Sequence, residues 1–264
     1  MTRISVRDLA DFKQSKKRFT MLTSYDSLTA SLFDEAGIPV LLVGDSAANL
    51  VFGYDSTLPV TVEDMLPIVS SVARSSKNAM VVADMPFGSY QTSTSSALES
   101  ATKFLKAGAQ AVKLEGGQRI VETVKVLVEA GIPVMGHIGL TPQSVNVFGG
   151  YKVQGRGEQA DQLLLDAKSL ASAGAFSIVL EAIPSELAKQ ITESVSIPTI
   201  GIGAGSDTDA QVMVWQDLVG LTPGLKPKFV KNYLNLRQEI EKAVKDFSSD
   251  VASGKYPDKD HSYE

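Results

Sequence analysis

Short apolar runs alternate along the chain with segments of helical periodicity. Eight runs are bounded by Gly, Pro or polar clusters: FTMLTSYD from Phe19, PVLLVGDS from Pro39, AMVVADMPF from Ala79, AVKLEGG from Ala111, PVMGHIG from Pro133, FSIVLEA from Phe176, PTIGIGAG from Pro198 and WQDLVGL from Trp215. Most are continuously apolar, which is typical of parallel strands covered on both faces. The pattern predicts eight strands, although the run at Trp215 also fits an extension of the preceding helix.

Four of the intervening helical segments end in glycine, at Gly37, Gly108, Gly131 and Gly174. A glycine after the last helical turn adopts the left-handed conformation that turns the chain into the next strand. Eight strands that alternate with helices most simply close into a (β/α)₈ TIM barrel, although an open doubly wound sheet has the same local signals. We predict an α/β fold with one barrel domain over residues 1–264, with an N-terminal helix and a C-terminal helical tail.

Two loops that follow strands are unusually long, at residues 49–61 and 140–158. Long loops in a compact domain are usually functional, and barrels place their active sites on the rim where strands end. We therefore expect both loops to border a site. The tail contains one amphipathic segment, FVKNYLNLRQEIEKAVKDF, which predicts a helix from Phe229 to Phe247.

Polar residues fall at the end of six apolar runs, or just after them. They are Asp26, Asp45 with Ser46, Asp84, Lys113 with Glu115, His137 and Glu181. Any one of them could be a strand-terminal residue satisfied by a neighbouring loop. Ionised groups beside apolar strands are costly unless they are paired or metal-bound, and six ends repeat the pattern. We therefore predict that these side chains converge on one rim.

The residue types on this rim indicate chemistry at a carbonyl carbon. Asp45, Asp84 and Glu115 could supply oxygen ligands to magnesium, which would stabilise an enolate as a Lewis acid. Lys113 adds a positive charge for a carboxylate or oxyanion, and Glu181 is a candidate base. This combination predicts abstraction of a proton next to a carbonyl group.

Composition removes several other classes of site and partner. The chain has no Cys and two His, so thiolate metal sites and Cys nucleophiles are excluded. The net charge is -5, and no basic block suggests nucleic acid as a partner. The amino-terminal sequence lacks the apolar region of a signal peptide or membrane span, so we expect a cytoplasmic protein.

Other motifs carry little weight. Gly201 to Gly205 lacks the last glycine of the dinucleotide fingerprint, and no Walker sequence occurs. The segment around Ser46 is not the GxSxG elbow of a serine hydrolase, so a hydrogen bond from Ser46 to a substrate is the better interpretation. His137 is equally consistent with a core histidine and with a substrate contact.

At these same residues the chain resembles the ketopantoate hydroxymethyltransferase family, nearly from end to end. The motifs are VGDS (43–46), DSTLPVT (55–61), ADMPF (83–87), KLEGG (113–117), GHIGLTPQS (136–144), GGYKVQGR (149–156), GIGAG (201–205) and the closing YP…HSY. Departures from the family pattern are Ala47-Ala48-Asn49 beside the metal loop and residues 209–214, where we expect packing on a barrel helix. None of them removes a ligand or the base.

The resemblance implies a barrel of the phosphoenolpyruvate/pyruvate type that assembles as a homo-oligomer, usually a decamer. It implies transfer of a hydroxymethyl group from 5,10-methylenetetrahydrofolate to 3-methyl-2-oxobutanoate, giving 2-dehydropantoate for pantothenate synthesis, through a magnesium-stabilised enolate. Carried over by motif, the metal ligands are Asp45, Asp84 and Glu115, and Glu181 is the proton acceptor. The substrate-binding residues are Asp45, Ser46, Asp84, Lys113 and, with a less defined role, His137.

Two alternatives stay open on the sequence. A magnesium-dependent C–C or P–C lyase of the related barrel group would share the metal and keto-acid pocket without binding folate. A catalytically silent barrel would bind metabolites or assemble without turnover, and the retained carboxylates, Lys113 and Glu181 argue against it.

Overall fold

Eight parallel strands close into a barrel in chain order, each pairing with the next and β8 with β1. The computed structural model describes residues 3–150, 152–224 and 226–263. The strands are β1 (Phe19–Thr23), β2 (Val40–Val43), β3 (Met80–Asp84), β4 (Ala111–Glu115), β5 (Val134–Gly139), β6 (Ser177–Glu181), β7 (Thr199–Ile202) and β8 (Ala210–Met213). The (β/α)₈ prediction is confirmed.

Helices surround the strands and extend into the tail. They are α1 (Val6–Gln14), α2 (Ser27–Glu35), α3 (Ala47–Leu50), α4 (Val62–Ser75), α5 (Thr94–Lys106), α6 (Val121–Glu129), α7 (Val145–Phe148), α8 (Gln159–Ser172), α9 (Ser185–Ser194), α10 (Trp215–Leu218) and α11 (Leu236–Ala252). Short 3₁₀ turns lie at Gln118–Ile120, Pro142–Ser144 and Lys259–His261. Among the described residues, no helix is both long and apolar enough to cross a membrane.

The chain divides into two compact units, Met1–Met213 and Val214–Glu264. The first contains the whole barrel, and the second contains α10 and α11. On α11, Ile240, Val244 and Phe247 are exposed apolar residues. The expectation of one domain over residues 1–264 stays a prediction.

The barrel interior is built from every second residue of the strands, because side chains alternate between the two faces of a strand. The buried apolar cluster includes Val82 on β3, Ala111 on β4, Met135 on β5 and Val179 on β6. Two residues further along each of these strands the side chain is polar or charged. On each of these strands, the side chains that face the barrel interior are therefore apolar in the core and polar or charged at the carboxyl-end rim.

Helix α1 closes the opposite end of the barrel. Leu9 is fully buried and belongs to the same apolar cluster as the barrel interior, while Phe12 packs against that cluster. Arg3 Nη1 donates to Ala79 O at 2.9 Å and to Gln110 Oε1 at 3.1 Å. The N-terminal helix is thus anchored to the segments that precede β3 and β4.

The predicted helix-ending glycines are confirmed. Gly37, Gly108, Gly131 and Gly174 have φ of 82°, 110°, 84° and 96°, in the left-handed region that favours glycine. Each lies two residues after the last residue of a helix and three residues before the first residue of the next strand.

The predicted eighth strand at Trp215 is wrong, since Trp215–Leu218 forms α10 and β8 is Ala210–Met213. Ala210 and Val212 point into the barrel core. The connection from β7 to β8 spans residues 203–209 and contains no helix. A prediction that expects a helix between every two strands therefore places the eighth strand too far along the chain. Residues 209–214, for which we expect packing on a barrel helix, contain β8, and that packing stays a prediction.

The tail helix also begins later than its apolar periodicity predicts. Residues 229–235 are irregular, and α11 starts at Leu236. Val230 N donates to Pro227 O in a turn, and Tyr233 N donates to Leu218 O. Each of the two long rim loops contains short helical turns. Tyr151, within the GGYKVQGR motif, lies outside the described residues.

Candidate active site

The predicted rim residues do come together, with one exception. Asp45, Asp84, Lys113, Glu115 and His137 are all buried at the carboxyl ends of β2 to β5, and the Glu181 side chain at the end of β6 is 16% exposed. Asp26 is the exception. It is exposed, and its Oδ1 accepts a hydrogen bond from Thr29 N at 2.8 Å as the N-cap of α2.

Lys113 lies at the centre of the cluster. Its Nζ is 2.9 Å from Asp84 Oδ1, 3.8 Å from Glu115 Oε1 and 3.1 Å from His137 Nδ1. Burial favours the neutral amine, but the charges of Asp84, Glu115 and Asp45 outweigh it and raise the pKa of Lys113. Lys113 therefore remains an ammonium ion, as its predicted role requires.

Asp45 and Asp84 adjoin each other across β2 and β3. The backbone N–H of Asp45 donates to Asp84 Oδ2 at 2.9 Å. Burial, followed by repulsion from Asp84 and Glu115, raises the pKa of Asp45 well above its usual range. Burial also raises the pKa of Asp84, although Lys113 opposes this shift. The cluster holds more negative charge than Lys113 neutralises.

His137 joins this cluster to Glu181. Its Nδ1 is 3.4 Å from Glu115 Oε1 and its Nε2 is 3.2 Å from Glu181 Oε2, a close contact that is not aligned as a hydrogen bond. Burial and the charge of Lys113 disfavour the imidazolium form, but the carboxylates of Glu115 and Glu181 outweigh them and raise the pKa of His137 to about 9. The imidazole therefore lies between a buried acid and a partly exposed one.

Ser46 is positioned by a residue to which the sequence pattern assigns no role. Tyr25, directly after β1, is buried, and its hydroxyl oxygen lies 2.7 Å from Ser46 Oγ. Burial raises the pKa of Tyr25, so the phenol stays protonated. This hydrogen bond orients the Ser46 hydroxyl beside Asp45.

Gln143 and Tyr90 also belong to the site and have no assigned role in the sequence pattern. Gln143 lies in the 3₁₀ turn after β5 and donates from Nε2 to Asp45 Oδ2 at 2.9 Å. The Tyr90 hydroxyl donates to Gln143 Oε1 at 2.7 Å and accepts from Glu115 N at 3.1 Å. The only sequence signal for Gln143 is its place in the GHIGLTPQS motif, and Tyr90 has none.

The donor chemistry of the cluster fits a hard divalent cation. Asp45, Asp84 and Glu115 offer carboxylate oxygens, and Asp84 Oδ1 is paired with the Lys113 ammonium ion at 2.9 Å. A cation would offset the repulsion that raises the pKa of Asp45. Among the residues that the structure describes, however, no three His, Asp or Glu side chains are already grouped to hold a metal ion. Ligation by these three residues stays a prediction.

Solved structures with similar folds define the class of barrel. Phosphonopyruvate hydrolase matches with a TM-score of 0.65 and 13% identity, over 100% of this chain and 92% of its own. A 2,3-dimethylmalate lyase, described as a PEP mutase/isocitrate lyase superfamily member, matches with a TM-score of 0.58 and 16% identity, over 92% of this chain and 98% of its own. These similarities show the class of fold, a closed (β/α)₈ barrel, as predicted.

Sequence comparison defines the family within that class. The family model for ketopantoate hydroxymethyltransferase matches residues 3–259. A protein of Thermobifida fusca (strain YX) named 3-methyl-2-oxobutanoate hydroxymethyltransferase is 60% identical, over 99% of this chain and 94% of its own. One of the same name from Acidothermus cellulolyticus (strain ATCC 43068 / DSM 8971 / 11B) is 57% identical, over 99% and 97%. This chain belongs to the ketopantoate hydroxymethyltransferase family and is an enzyme, a transferase.

Proposed function

We propose that the enzyme transfers a hydroxymethyl group from 5,10-methylenetetrahydrofolate to 3-methyl-2-oxobutanoate, forming 2-dehydropantoate for pantothenate synthesis. One observation carries the proposal: the partly exposed Glu181 carboxylate lies 3.2 Å from the buried His137, which in turn contacts the cluster around Lys113. In this proposal Glu181 is the proton acceptor at the more exposed edge of the cluster, and Lys113 supplies a buried positive charge. The identity of the keto acid, 3-methyl-2-oxobutanoate, is taken from the names of the relatives.

Several residues of the chain have separate roles in proton removal. Glu181 accepts the proton from C3 of the keto acid, and the adjacent His137 stabilises the carboxylate in its reactive position. The Lys113 ammonium ion stabilises the negative charge that develops on the substrate oxygen. Ser46, held by Tyr25, donates a hydrogen bond to the keto acid. C3 then forms the new bond to the one-carbon unit, water supplies the hydroxyl oxygen, and tetrahydrofolate leaves.

Asp45, Asp84 and Glu115 would hold magnesium within this cluster. When bound, magnesium supplies a Lewis acid for the keto oxygen and positive charge for a cluster rich in carboxylates. The raised pKa of Asp45, caused by burial and by the neighbouring Asp84 and Glu115 carboxylates, supports this assignment. The same side chains adjoin the proposed keto-acid site.

A turnover assay tests the proposal directly. The protein is mixed with magnesium, 3-methyl-2-oxobutanoate and methylenetetrahydrofolate, and 2-dehydropantoate is measured. Formation of this product supports the transferase. Cleavage of the keto acid without folate would support a lyase instead, and absence of any magnesium-dependent turnover would support a silent barrel. The 57–60% identity to named transferases, against 13–16% to the phosphonopyruvate hydrolase and the 2,3-dimethylmalate lyase, favours the first outcome.

We further propose that the enzyme acts in the cytoplasm as a homo-oligomer, with a decamer as the expected size and without nucleic acid or membrane partners. The exposed apolar residues Ile240, Val244, Phe247 and Val251 on α11 support self-association, because they recur on one side of the helix. Light scattering at micromolar concentration measures the mass. A monomer would contradict the proposal.

A further inference from the structure

Gln143 is a neutral residue that forms hydrogen bonds to several members of the active-site cluster. It is 6% exposed in the 3₁₀ turn Pro142–Ser144, just after β5. Its backbone N–H donates to Glu115 Oε2 at 3.0 Å, and its Nε2 donates to Asp45 Oδ2 at 2.9 Å and to Met85 O at 3.0 Å. One residue thereby contacts two of the predicted metal ligands, which lie on different strands.

These contacts define the orientation of the Gln143 amide. A carboxylate oxygen and a backbone carbonyl only accept hydrogen bonds, so the atom facing Asp45 and Met85 must be the nitrogen. The oxygen then accepts from the Tyr90 hydroxyl at 2.7 Å and from Gln91 Nε2 at 3.2 Å. Both ends of the amide are satisfied, and its opposite orientation would put acceptors against acceptors at Asp45 and Met85.

Other polar side chains would not serve in this place. A glutamate would add a carboxylate beside Asp45, whose pKa is already raised by burial and by its acidic neighbours. A lysine or arginine would neutralise charge that a metal ion is expected to balance. A neutral amide can donate to Asp45 and accept from Tyr90 without changing the charge of the cluster.

We propose that Gln143 is a positioning residue, which holds the Asp45 and Glu115 carboxylates in the orientation needed to bind magnesium and the keto acid. This role rests on the proposed function. Gln143 acts through the carboxylates and does not touch the reacting atoms. The backbone bond to Glu115 survives any side-chain substitution, so side-chain variants change the link to Asp45 and leave the link to Glu115.

The test is Gln143→Met, which keeps the length and apolar volume of the side chain but removes its hydrogen bonds. Magnesium binding, measured by calorimetry with magnesium alone, is expected to weaken about 10- to 100-fold, the usual cost of losing a group that orients a metal ligand. kcat is expected to fall more than KM rises. Gln91→Met is the matched control. It removes a bond to the same Gln143 oxygen from an exposed position and leaves the Nε2 bond to Asp45, so magnesium affinity should stay at the wild-type value.

A crystal structure of Gln143→Met without metal gives a readout that does not depend on activity. The Asp45 carboxylate should turn away from its wild-type orientation. If it keeps that orientation, or if magnesium affinity and kcat stay within about twofold of wild type, the positioning role is overturned. Gln143→Asn is the second variant, in case Gln143→Met does not fold. Its amide is one methylene too short to reach Asp45, so it should show the same losses.

The wild-type measurements separate this proposal from the proposed function. A wild-type enzyme that does not form 2-dehydropantoate rejects the proposed function, and the orientation of Asp45 in the variant crystal structure then still decides the role of Gln143. An active wild type with an unaffected Gln143→Met variant rejects the positioning role alone.

Discussion

Asp34 and Asp45 are both nearly inaccessible to solvent, at opposite ends of the same barrel, and their surroundings shift their pKa values in opposite directions. They are 6% and 4% exposed. Asp34 accepts hydrogen bonds from the backbone N–H groups of Lys77, Asn78 and Ala79, which precede β3. Burial opposes its ionisation, but these bonds outweigh burial and lower its pKa. Asp45 faces other carboxylates, and its pKa is raised.

This difference shows that burial alone does not decide the charge of an acid; the partners do. At the amino end of the strands, a carboxylate stabilises the fold because amides surround it. At the carboxyl end, a group of carboxylates is held together at a cost in folding free energy and is available for ligand binding. Substitutions at the two ends should therefore affect different measurements.

The largest effect is expected from Glu181→Gln at the carboxyl end. Wild type with magnesium in D₂O should exchange the C3 hydrogen of 3-methyl-2-oxobutanoate without folate, and the variant should exchange it about 10² to 10⁴ times more slowly, the usual cost of losing a general base. Exchange is measured by NMR, and the thermal midpoint should not change. Exchange at the wild-type rate would make Glu181 a structural acid, and His137 would be tested next.

Leu9→Ala at the amino end should lower stability without a change in chemistry. Leu9 is fully buried on α1 against the barrel interior, and removal of a buried Leu side chain costs about 2 to 5 kcal/mol. Denaturant unfolding measures the loss, and kcat at low temperature is the control. A drop in kcat with unchanged stability would contradict the division between the two ends.

Asp34→Asn should have a smaller effect, and one that depends on pH. Loss of the charged acceptor should cost roughly 1.5 to 3 kcal/mol at neutral pH. Because the folded pKa lies below the ordinary value of 3.8, the contribution of Asp34 is complete above that pH and is lost as the pH falls through the folded pKa. The difference in stability between the two proteins should therefore begin to shrink below about pH 4 and continue to shrink as the pH falls through the folded pKa. A constant difference across pH would contradict the assignment.

Asp45→Asn should have the smallest effect on folding and a large effect on magnesium. A raised folded pKa means that the ionised form destabilises the fold at neutral pH, so the neutral amide should raise stability. Magnesium affinity and turnover should fall strongly, and Asp84→Asn should lower them too. Unchanged magnesium affinity in both variants would reject the metal assignment.

Much of the fold follows from local pattern. Seven of the eight predicted strands are in place, the four glycines end their helices, and the inward rows of β3 to β6 run from apolar to charged residues as the period of two requires. These features depend on neighbours a few residues apart. The eighth strand is the exception, because a short connection without a helix breaks the local rule.

The active site follows from local pattern only in part. Asp45, Asp84, Lys113, Glu115, His137 and Glu181 are predictable because each ends a strand, and strands of one barrel end on a shared rim. Asp26 meets the same criterion, but the direction of the chain after β1 makes it a helix cap at the surface. Local sequence does not distinguish these two outcomes.

The sequence by itself determined the strands, the helix ends, the chemistry of the rim residues and, through its motifs, the family. Only the tertiary structure decided which polar side chains touch. Gln143 and Asp45 are 98 residues apart, and Tyr90 and Gln143 are 53 apart, yet each pair shares a hydrogen bond. The physical reason is that the periodicity of a sequence indicates only which face of a strand or helix a side chain occupies. A hydrogen bond requires two atoms within about 3 Å of each other. Only closure of the barrel brings residues so distant in sequence that close together.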